Sequence, residues 1–256
     1  MMKHIVCALV IVGFLCTLGC GRREISSEGK VLRLLSYRTR PNVNPQAIRH
    51  AEDAIRAIPS KAPIMERLEW GRIRGESTLR YYVLVLFEDQ QLLRNEEFFK
   101  ATQEVVGLDD LGPYFSGAAT TPFFIHDATP HVRTSTHGML RRVVQVHFNP
   151  DTTREQMQEF EDKIVALPDQ ISEITRLEWG ASTGYDPADP APQAIDPNFR
   201  NGSYCVLFTF ASVRARDACL AHPAYAEFQR MAKDYSTRTP SAYEFVSRVE
   251  YIADSD

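Results

Sequence analysis

Short apolar stretches along the chain alternate with longer stretches in which hydrophobic residues recur every three or four positions. Val31–Thr39 and Leu140–Phe148 show the loose alternation of strands, whereas Tyr81–Phe87 and Tyr204–Phe210 are almost continuously apolar. The pattern therefore predicts two sets of strands, each of which begins with an alternating strand.

A helix is predicted directly after each alternating strand. Hydrophobic residues at helical spacing mark both helices: Ile48, Ala51, Ile55 and Ile58 in the first, and Met157, Phe160, Ile164 and Leu167 in the second. The predicted start signals are Asn44 with Pro45, and a capping box in Thr152-Thr153-Arg154-Glu155. Pro59 and Pro168 are expected to end the helices. A second helical region follows each apolar strand, at Gln90–Val106 and Ser212–Tyr235.

A five-residue motif, Arg-Leu-Glu-Trp-Gly, indicates that the two sets are copies of one unit. It occurs at Arg67–Gly71 and at Arg176–Gly180, an offset of 109 residues. At this offset Val31–Gly71 matches Leu140–Gly180 over 41 positions without a gap, and twelve of them are identical. A self-match of this kind is the signature of a tandem repeat.

The order of elements in each copy is β-α-β-β-α-β, which is the ferredoxin-like unit. Each copy ends in an extended run, Thr121–Ile125 or Tyr243–Val246. A four-stranded sheet with helices on one face leaves its other face to be buried. The sequence therefore predicts an α+β fold in which two tandem units pack sheet to sheet as a pseudo-dimeric α/β barrel within one chain. The expected boundaries are 31–127 for the first unit, 128–138 for the linker and 139–254 for the second unit; pairing of two chains stays open.

Alternation along the motif strand places Leu68 and Trp70 on one face and Arg67 and Glu69 on the other. Glu69 and its counterpart Glu178 have two interpretations. They form a structural ion network with arginines, for which the candidates are Arg33, Arg67, Arg142 and Arg176, or they form a paired-carboxylate active site.

The first twenty residues differ from the rest of the chain. Lys3 and His4 precede an apolar run of about fourteen residues, which is the pattern of an export signal rather than of a membrane-spanning helix. Thr17-Leu18-Gly19-Cys20 resembles a bacterial lipobox. This resemblance implies a signal peptide at 1–19, a lipid on Cys20, a tether at 20–30 and a lipoprotein anchored in the bacterial cell envelope. The alternatives are an ordinary signal peptide or an uncleaved anchor.

Composition excludes some partners and cofactors. The net charge of -4 argues against a nucleic-acid binder, which normally has a basic face. Asp186, Asp189 and Asp196 lie in a proline-rich insertion and could hold calcium, but their spacing fits no calcium motif. His126, His131 and His137 cluster around the linker, where they either form a metal site or are solvated side chains; we favour the second interpretation. We therefore expect no metal and no cofactor. Cys205 and Cys219 are expected to be buried free thiols.

The second copy resembles the stress-responsive A/B barrel (Dabb) family of dimeric α/β barrels. The matching segments are Leu140–Phe148, Ala166-Leu167-Pro168, Leu177–Gly180, Tyr204–Phe210 and His222–Phe228. The resemblance implies the barrel fold; members range from stress proteins without known catalysis to a plant polyketide cyclase, and related barrels include monooxygenases that need no cofactor. The first copy is a degenerate version that lacks the His-Pro element.

The resemblance also identifies positions that carry chemistry in the cyclase. Its site uses the second histidine of a His-Pro-Ala-His element and a tyrosine on the preceding helix, and here these positions are Tyr225 and Cys219. A histidine that is frequent in the first strand of the family is Arg142 here. Cyclase chemistry therefore does not carry over to this chain.

Two functions remain on the sequence alone. The first is a non-catalytic module that binds a small amphipathic molecule or a partner; the second is a barrel-cavity enzyme of cofactor-free monooxygenase, isomerase or cyclase type. Candidate pocket residues are Ser36, Arg38, Gln145, His147 and Tyr204, and the weak catalytic candidates are His147, His222 and Tyr225. His147 is the first of these because histidine transfers protons near neutral pH; otherwise it is a hydrogen-bonded residue of a packed interface. His222 is expected to cap a helix or to pack between helices, and otherwise it lies at the edge of a pocket.

Overall fold

The computed structural model describes residues 27–39, 43–74, 80–89, 91–106, 115–129, 136–182 and 203–252. The first half contains β1 (Val31–Thr39), α1 (Pro45–Lys61), β2 (Arg67–Arg72), β3 (Arg80–Phe87), a 3₁₀ turn (Gln91–Arg94), α2 (Glu96–Val106), β4 (Phe115–Phe124) and β5 (His126–Asp127). The second half contains β6 (Leu140–His147), α3 (Arg154–Gln170), β7 (Ile174–Ala181), β8 (Ser203–Phe210), α4 (Val213–Ala221), α5 (Pro223–Asp234), β9 (Ser241–Val246) and β10 (Arg248–Ile252).

The helix starts were predicted more accurately than the helix ends. Asn44 caps α1 by accepting a hydrogen bond from the Ala47 N–H at 2.8 Å. The capping box of α3 lies one residue later than predicted and joins Thr153 to Gln156. Both prolines lie inside the last turn, so the prediction that they end the helices was wrong. A proline this close to the C-terminus removes one backbone hydrogen bond, and the turn can still be completed behind it.

The strands form two five-stranded sheets, in the orders β10-β2-β3-β1-β4 and β5-β7-β8-β6-β9. Each sheet packs one face against its own helices, and the residues of these two apolar layers include Leu68 and Trp70 in the first half and Leu177 and Trp179 in the second. A third apolar cluster, with Leu34, Leu84, Val143 and Leu207 among its members, lies between the sheets. The predicted packing of sheet against sheet is therefore confirmed.

Each half gives its last strand to the sheet of the other half. After β4, β5 continues to pair with β7, with His126 opposite Trp179. After β9, β10 continues to pair with β2, with Arg248 opposite Trp70. The sequence predicted four strands per sheet and contains no pattern that indicates this exchange. The exchange ties the halves together by main-chain hydrogen bonds as well as by side-chain packing.

Gly71, the last residue of the first motif, lies where β9 of the second half approaches β2. A Cβ atom at this position would lie 2.4 Å from Cδ2 of Phe245 and 2.5 Å from the carbonyl oxygen of Val246. Ile73 forms a β-bridge with Phe245, and the Arg74 N–H donates to the Glu244 carbonyl oxygen at 2.8 Å. The glycine therefore allows the backbones of the two sheets to meet at this seam of the barrel.

Residues 27–30, which the sequence analysis assigned to the tether, are part of the fold. Ser27 is fully buried, and the Gly29 N–H donates to the Ile125 carbonyl oxygen at 2.9 Å. Lys30 forms an ion pair with Glu66. The predicted signal peptide and Cys20 lie outside the described residues. In the ranges that the structure describes, every helix is too short or too polar to span a bilayer.

Candidate functional site

The charged residues of the repeated motif meet inside the barrel. Arg67, Glu69, Arg176 and Glu178 are all at most 2% exposed, and Arg141 of β6 is fully buried beside them. They lie on the opposite strand faces from Leu68, Trp70 and their counterparts, as alternation predicts. The two copies of the motif therefore place a set of charges at the interface between the sheets.

Glu178 is the centre of this buried network. Its carboxylate lies 2.9 Å from Nη2 of Arg67, 2.7 Å from Nη2 of Arg141 and 3.3 Å from Nη2 of Arg176. Burial alone would raise the pKa of Glu178, but the three guanidinium charges hold that pKa well below its usual range. A carboxylate held in this way stays ionised and cannot serve as a general acid or base near neutral pH.

Glu69 and Asp127 complete the network. Glu69 lies 3.0 Å from Nε of Arg141, and Asp127 lies 3.3 Å from Nη2 of Arg176. Three arginines thus face three carboxylates, and the balance of charge allows them to be buried together. This geometry favours the structural interpretation of the two motif glutamates over the paired-carboxylate active site.

Two of the four arginines that were predicted as partners of Glu69 and Glu178 contact them. Arg67 and Arg176 are confirmed, whereas Arg33 and Arg142 lie on the helix faces of their strands. Arg33 lies over the ring of Phe98 at 5.2 Å. The residue that sequence reasoning missed is Arg141, whose position after Leu140 gives it the barrel-facing direction.

The predicted barrel-lining residues lie at different depths. Ser36 and Gln145 are half-buried, and Arg38 is exposed. His147 is partly exposed at the end of β6 and contacts Arg238. Burial, together with the charge of Arg238, lowers the pKa of His147. Neither of the two pockets described below includes these four residues, so their role in binding stays a prediction.

Tyr204 and His222 have structural contacts. Tyr204 packs in the helix-side layer, and its hydroxyl donates to Glu161 at 2.6 Å. In the first half Tyr81 donates to Glu52 at 3.1 Å, so the same pair occurs in both copies. The Nδ1 atom of His222 accepts a hydrogen bond from the Ala224 N–H at 3.2 Å, which confirms the expected helix cap between α4 and α5.

A pocket with a volume of about 210 Å³ lies between α5 and the second sheet. We call it the helix–sheet pocket. Its walls are formed by residues of β6, α5, β9 and the segment that leads into β9: Arg142, Val144, Tyr225, Phe228, Gln229, Ala232, Lys233, Thr239, Pro240 and Ala242. The walls are largely apolar, and the two charged side chains among them, Arg142 and Lys233, are both cationic.

Arg142 and Tyr225, two positions that the family resemblance singled out, meet at this pocket. Nε of Arg142 donates to the Tyr225 hydroxyl at 3.0 Å, and Nη1 of Arg142 lies 2.6 Å from Glu244. Burial raises the pKa of Tyr225, and burial raises the pKa of the nearby Cys219 thiol to about 12. Both groups are therefore protonated near neutral pH, and neither is a base of useful strength there.

A second pocket, with a volume of about 290 Å³, adjoins the first. We call it the seam pocket because both halves of the chain line it. The first half provides Ile73 and Arg74, and the second half provides Arg142, Arg216, Ala242, Tyr243 and Glu244. Arg142 and Ala242 line both pockets.

Sequence reasoning missed Arg74, Arg216, Lys233 and Glu244 as pocket residues. A signal for Glu244 exists in the alternation of β9, which places Ala242 and Glu244 on one face of a strand. Cys205 and Cys219 are buried free thiols, as predicted. In the described part of the chain, no group of histidine, cysteine or acidic residues could hold a metal ion. His131 and the three aspartates of the insertion lie outside it.

Comparison with known proteins supports the architecture. Residues 140–244 match the family model of the Stress responsive A/B Barrel Domain. The C-terminal half of the chain contains a Dabb domain. No curated protein matches the chain.

Three solved structures resemble most of the chain, which spans nearly their whole length. A candidate monooxygenase from Fusobacterium nucleatum subsp. nucleatum is 6% identical with a TM-score of 0.57, and 87% of this chain and 94% of that chain are covered. A candidate monooxygenase from Lactobacillus acidophilus is 10% identical with a TM-score of 0.55, and the coverages are 87% and 96%. An anthrone oxidase-like protein is 12% identical with a TM-score of 0.58, and the coverages are 88% and 96%. These similarities show the dimeric α/β barrel fold.

Proposed function

We propose that this protein is a non-catalytic, lipid-anchored binding protein of the bacterial cell envelope. Its Dabb domain would hold a small amphipathic molecule in the helix–sheet pocket. The observation that carries this proposal is the lining of that pocket, in which Val144, Phe228 and Pro240 form apolar walls around the guanidinium of Arg142. Small-molecule sites typically combine apolar walls with a few polar groups that fix the orientation of the ligand.

The chemistry of the neighbouring groups favours binding over catalysis. Tyr225 and Cys219 occupy the positions of the cyclase dyad, and burial raises the pKa of both. The only carboxylate that lines either of the two pockets belongs to Glu244, which is bound by Arg142 and Arg216. This carboxylate is therefore already engaged in two ion pairs with neighbouring arginines.

The alternative is an enzyme that uses the barrel cavity without a cofactor. Similar folds that are named as candidate monooxygenases or as anthrone oxidase-like motivate it. The described barrel interior argues against it, because a buried apolar cluster and the charge-balanced network occupy that space.

A thermal-shift screen of amphipathic metabolites on the full chain in lipid nanodiscs tests the binding function. A ligand at 100 times its dissociation constant stabilises the folded protein by about 2.7 kcal/mol. Gln229 is exposed and lines the pocket, so Gln229→Phe should fill the entrance and remove the shift. Gln170→Phe, on an exposed position of α3, is the matched control and should keep it. A shift that survives Gln229→Phe would place the ligand elsewhere.

Turnover of a bound compound would overturn the non-catalytic part of the proposal, above all if Tyr225→Phe abolished that turnover. Product analysis by mass spectrometry after incubation with each screening hit provides this measurement.

Lipid anchoring has a separate test. The lipobox resemblance at Thr17–Cys20 supports it, and Cys20→Ala should abolish labelling by a clickable fatty acid in bacterial cells and release the protein from the membrane fraction. Cys219→Ala is the control, because this thiol is buried and should not affect labelling. Labelling that is unchanged in Cys20→Ala would refute the anchor and leave the binding proposal intact.

A further inference from the structure

The two adjoining pockets differ in the chemistry of their walls. The helix–sheet pocket has mainly apolar walls, whereas four of the seven residues that line the seam pocket are charged. Three of these four are arginines, namely Arg74, Arg142 and Arg216, and the fourth is Glu244. The seam pocket therefore has an excess of positive charge directly beside an apolar pocket.

The arginines of the seam pocket retain donors for a bound anion. Arg142 uses Nε for Tyr225 and Nη1 for Glu244, and Arg216 uses Nε for Asp217 and Nη1 for Glu244. A guanidinium carries five N–H donors in a planar fork. Each arginine can therefore bind an anion through its remaining nitrogen while Glu244 keeps it in place.

Arg74 adds a cationic side chain from the other half of the chain. Its backbone N–H donates to the Glu244 carbonyl oxygen at 2.8 Å, which fixes the position of Arg74 at the edge of β9, while its side chain is exposed. Asp217, which does not line the pocket, adds one acidic group beside it through its ion pair with Arg216 at 2.7 Å. With Asp217 included, three arginines still outnumber two carboxylates.

We propose that the ligand of the Dabb domain is an amphipathic carboxylate whose anionic head lies in the seam pocket and whose apolar part fills the helix–sheet pocket. This inference rests on the proposed binding function and names the ligand class. Arg142 and Ala242 line both pockets, so a single molecule that passes them contacts both. Binding then requires both halves of the chain, because Arg74 comes from the half without the family match.

Isothermal titration of the full chain in lipid nanodiscs tests the proposal, with empty nanodiscs as the blank. The probes are hexanoate, which has tail and charge; hexanamide, which has the tail without the charge; and acetate, which has the charge without the tail. We expect hexanoate to bind about tenfold more tightly than either of the others, a difference of about 1.4 kcal/mol. Arg74→Gln should remove the preference for hexanoate over hexanamide.

Arg214→Gln is the matched control, since Arg214 is exposed on α4 and lines neither pocket. It should keep the preference for hexanoate. Equal binding of hexanoate and hexanamide, with no effect of Arg74→Gln, would overturn the carboxylate inference and leave the proposed binding function standing. If acetate binds as tightly as hexanoate, the proposal that one molecule occupies both pockets is wrong. Loss of hexanoate and hexanamide binding in Gln229→Phe would support a tail that lies in the helix–sheet pocket. If neither hexanoate nor hexanamide binds to the unmodified chain, the result counts against the proposed function itself.

Discussion

Glu178→Gln should destabilise the protein severely, because it removes the charge at the centre of the buried network while keeping the shape of the side chain. Glu178 is 1% exposed and contacts Arg67, Arg141 and Arg176 at 2.9, 2.7 and 3.3 Å. Removing one partner of a buried ion pair typically costs about 3–5 kcal/mol, because the remaining charges stay buried without compensation. Three guanidinium ions would then share two carboxylates.

The assay is urea unfolding followed by tryptophan fluorescence, together with a thermal melt. A loss of about 4 kcal/mol corresponds to a fall in Tm of roughly 10 °C for a protein of this size. Asp234→Asn is the control, because it breaks the exposed pair with Arg230 and should cost less than about 1 kcal/mol. A loss below about 1 kcal/mol for Glu178→Gln would refute the argument that the network holds the sheets together.

The pH dependence of this difference is a second readout. The folded protein lowers the pKa of Glu178, so the folded state binds fewer protons and the contribution of this residue to stability increases with pH. That contribution is complete above the pKa of an unfolded glutamate, about 4.3, and is lost as the pH falls through the lower folded value. The gap between the unmodified protein and Glu178→Gln should therefore be constant from pH 7 to about 5 and shrink below about 4.

Three further predictions concern packing and reactivity. Gly71→Ala would place a methyl group 2.5 Å from the Val246 carbonyl oxygen and should lower the free energy of unfolding by about 1–3 kcal/mol, measured by urea unfolding. An unchanged urea midpoint would contradict the close approach of the two backbones at Gly71. Tyr204→Phe removes the hydrogen bond to Glu161 and should cost about 1 kcal/mol in the same assay. Burial raises the pKa of Cys219 to about 12, so iodoacetamide at pH 8 should label it only in denaturant, as peptide mass spectrometry would show.

The direction of side chains on each strand could be predicted from the sequence, because it depends only on alternation between neighbours. Arg67 and Glu69 accordingly face away from Leu68 and Trp70. Arg67 and Arg176 could be named as partners of the motif glutamates because they belong to the same motif, but Arg141 could not. Arg141 is 37 residues from Glu178 in the chain and lies on β6, which β8 separates from β7 in the sheet, so no local pattern indicates the contact. Arg141 was therefore missed.

The candidate site shows the same division. The resemblance to the Dabb family singled out Arg142 and Tyr225, because both stand where members of the family have a histidine. In the structure Arg142 donates a hydrogen bond of 3.0 Å to the Tyr225 hydroxyl. Arg74 and Arg216 belong to different halves of the chain, and they line one pocket only because β9 meets β2 at the seam. Contacts that form between repeats follow from the pairing of the sheets, which alternation along one strand does not determine.

The exchange of the last strands imposes an order on folding. The Nε1–H of Trp70 donates to Glu250 at 2.8 Å, a contact between residues 180 positions apart. The first sheet thus receives its outermost strand from residues that are synthesised after the other strands of the second half. As the chain emerges from the ribosome, β2 remains an open edge until residues 248–252 have been synthesised. The first half, although it is made first, can be completed only after the second.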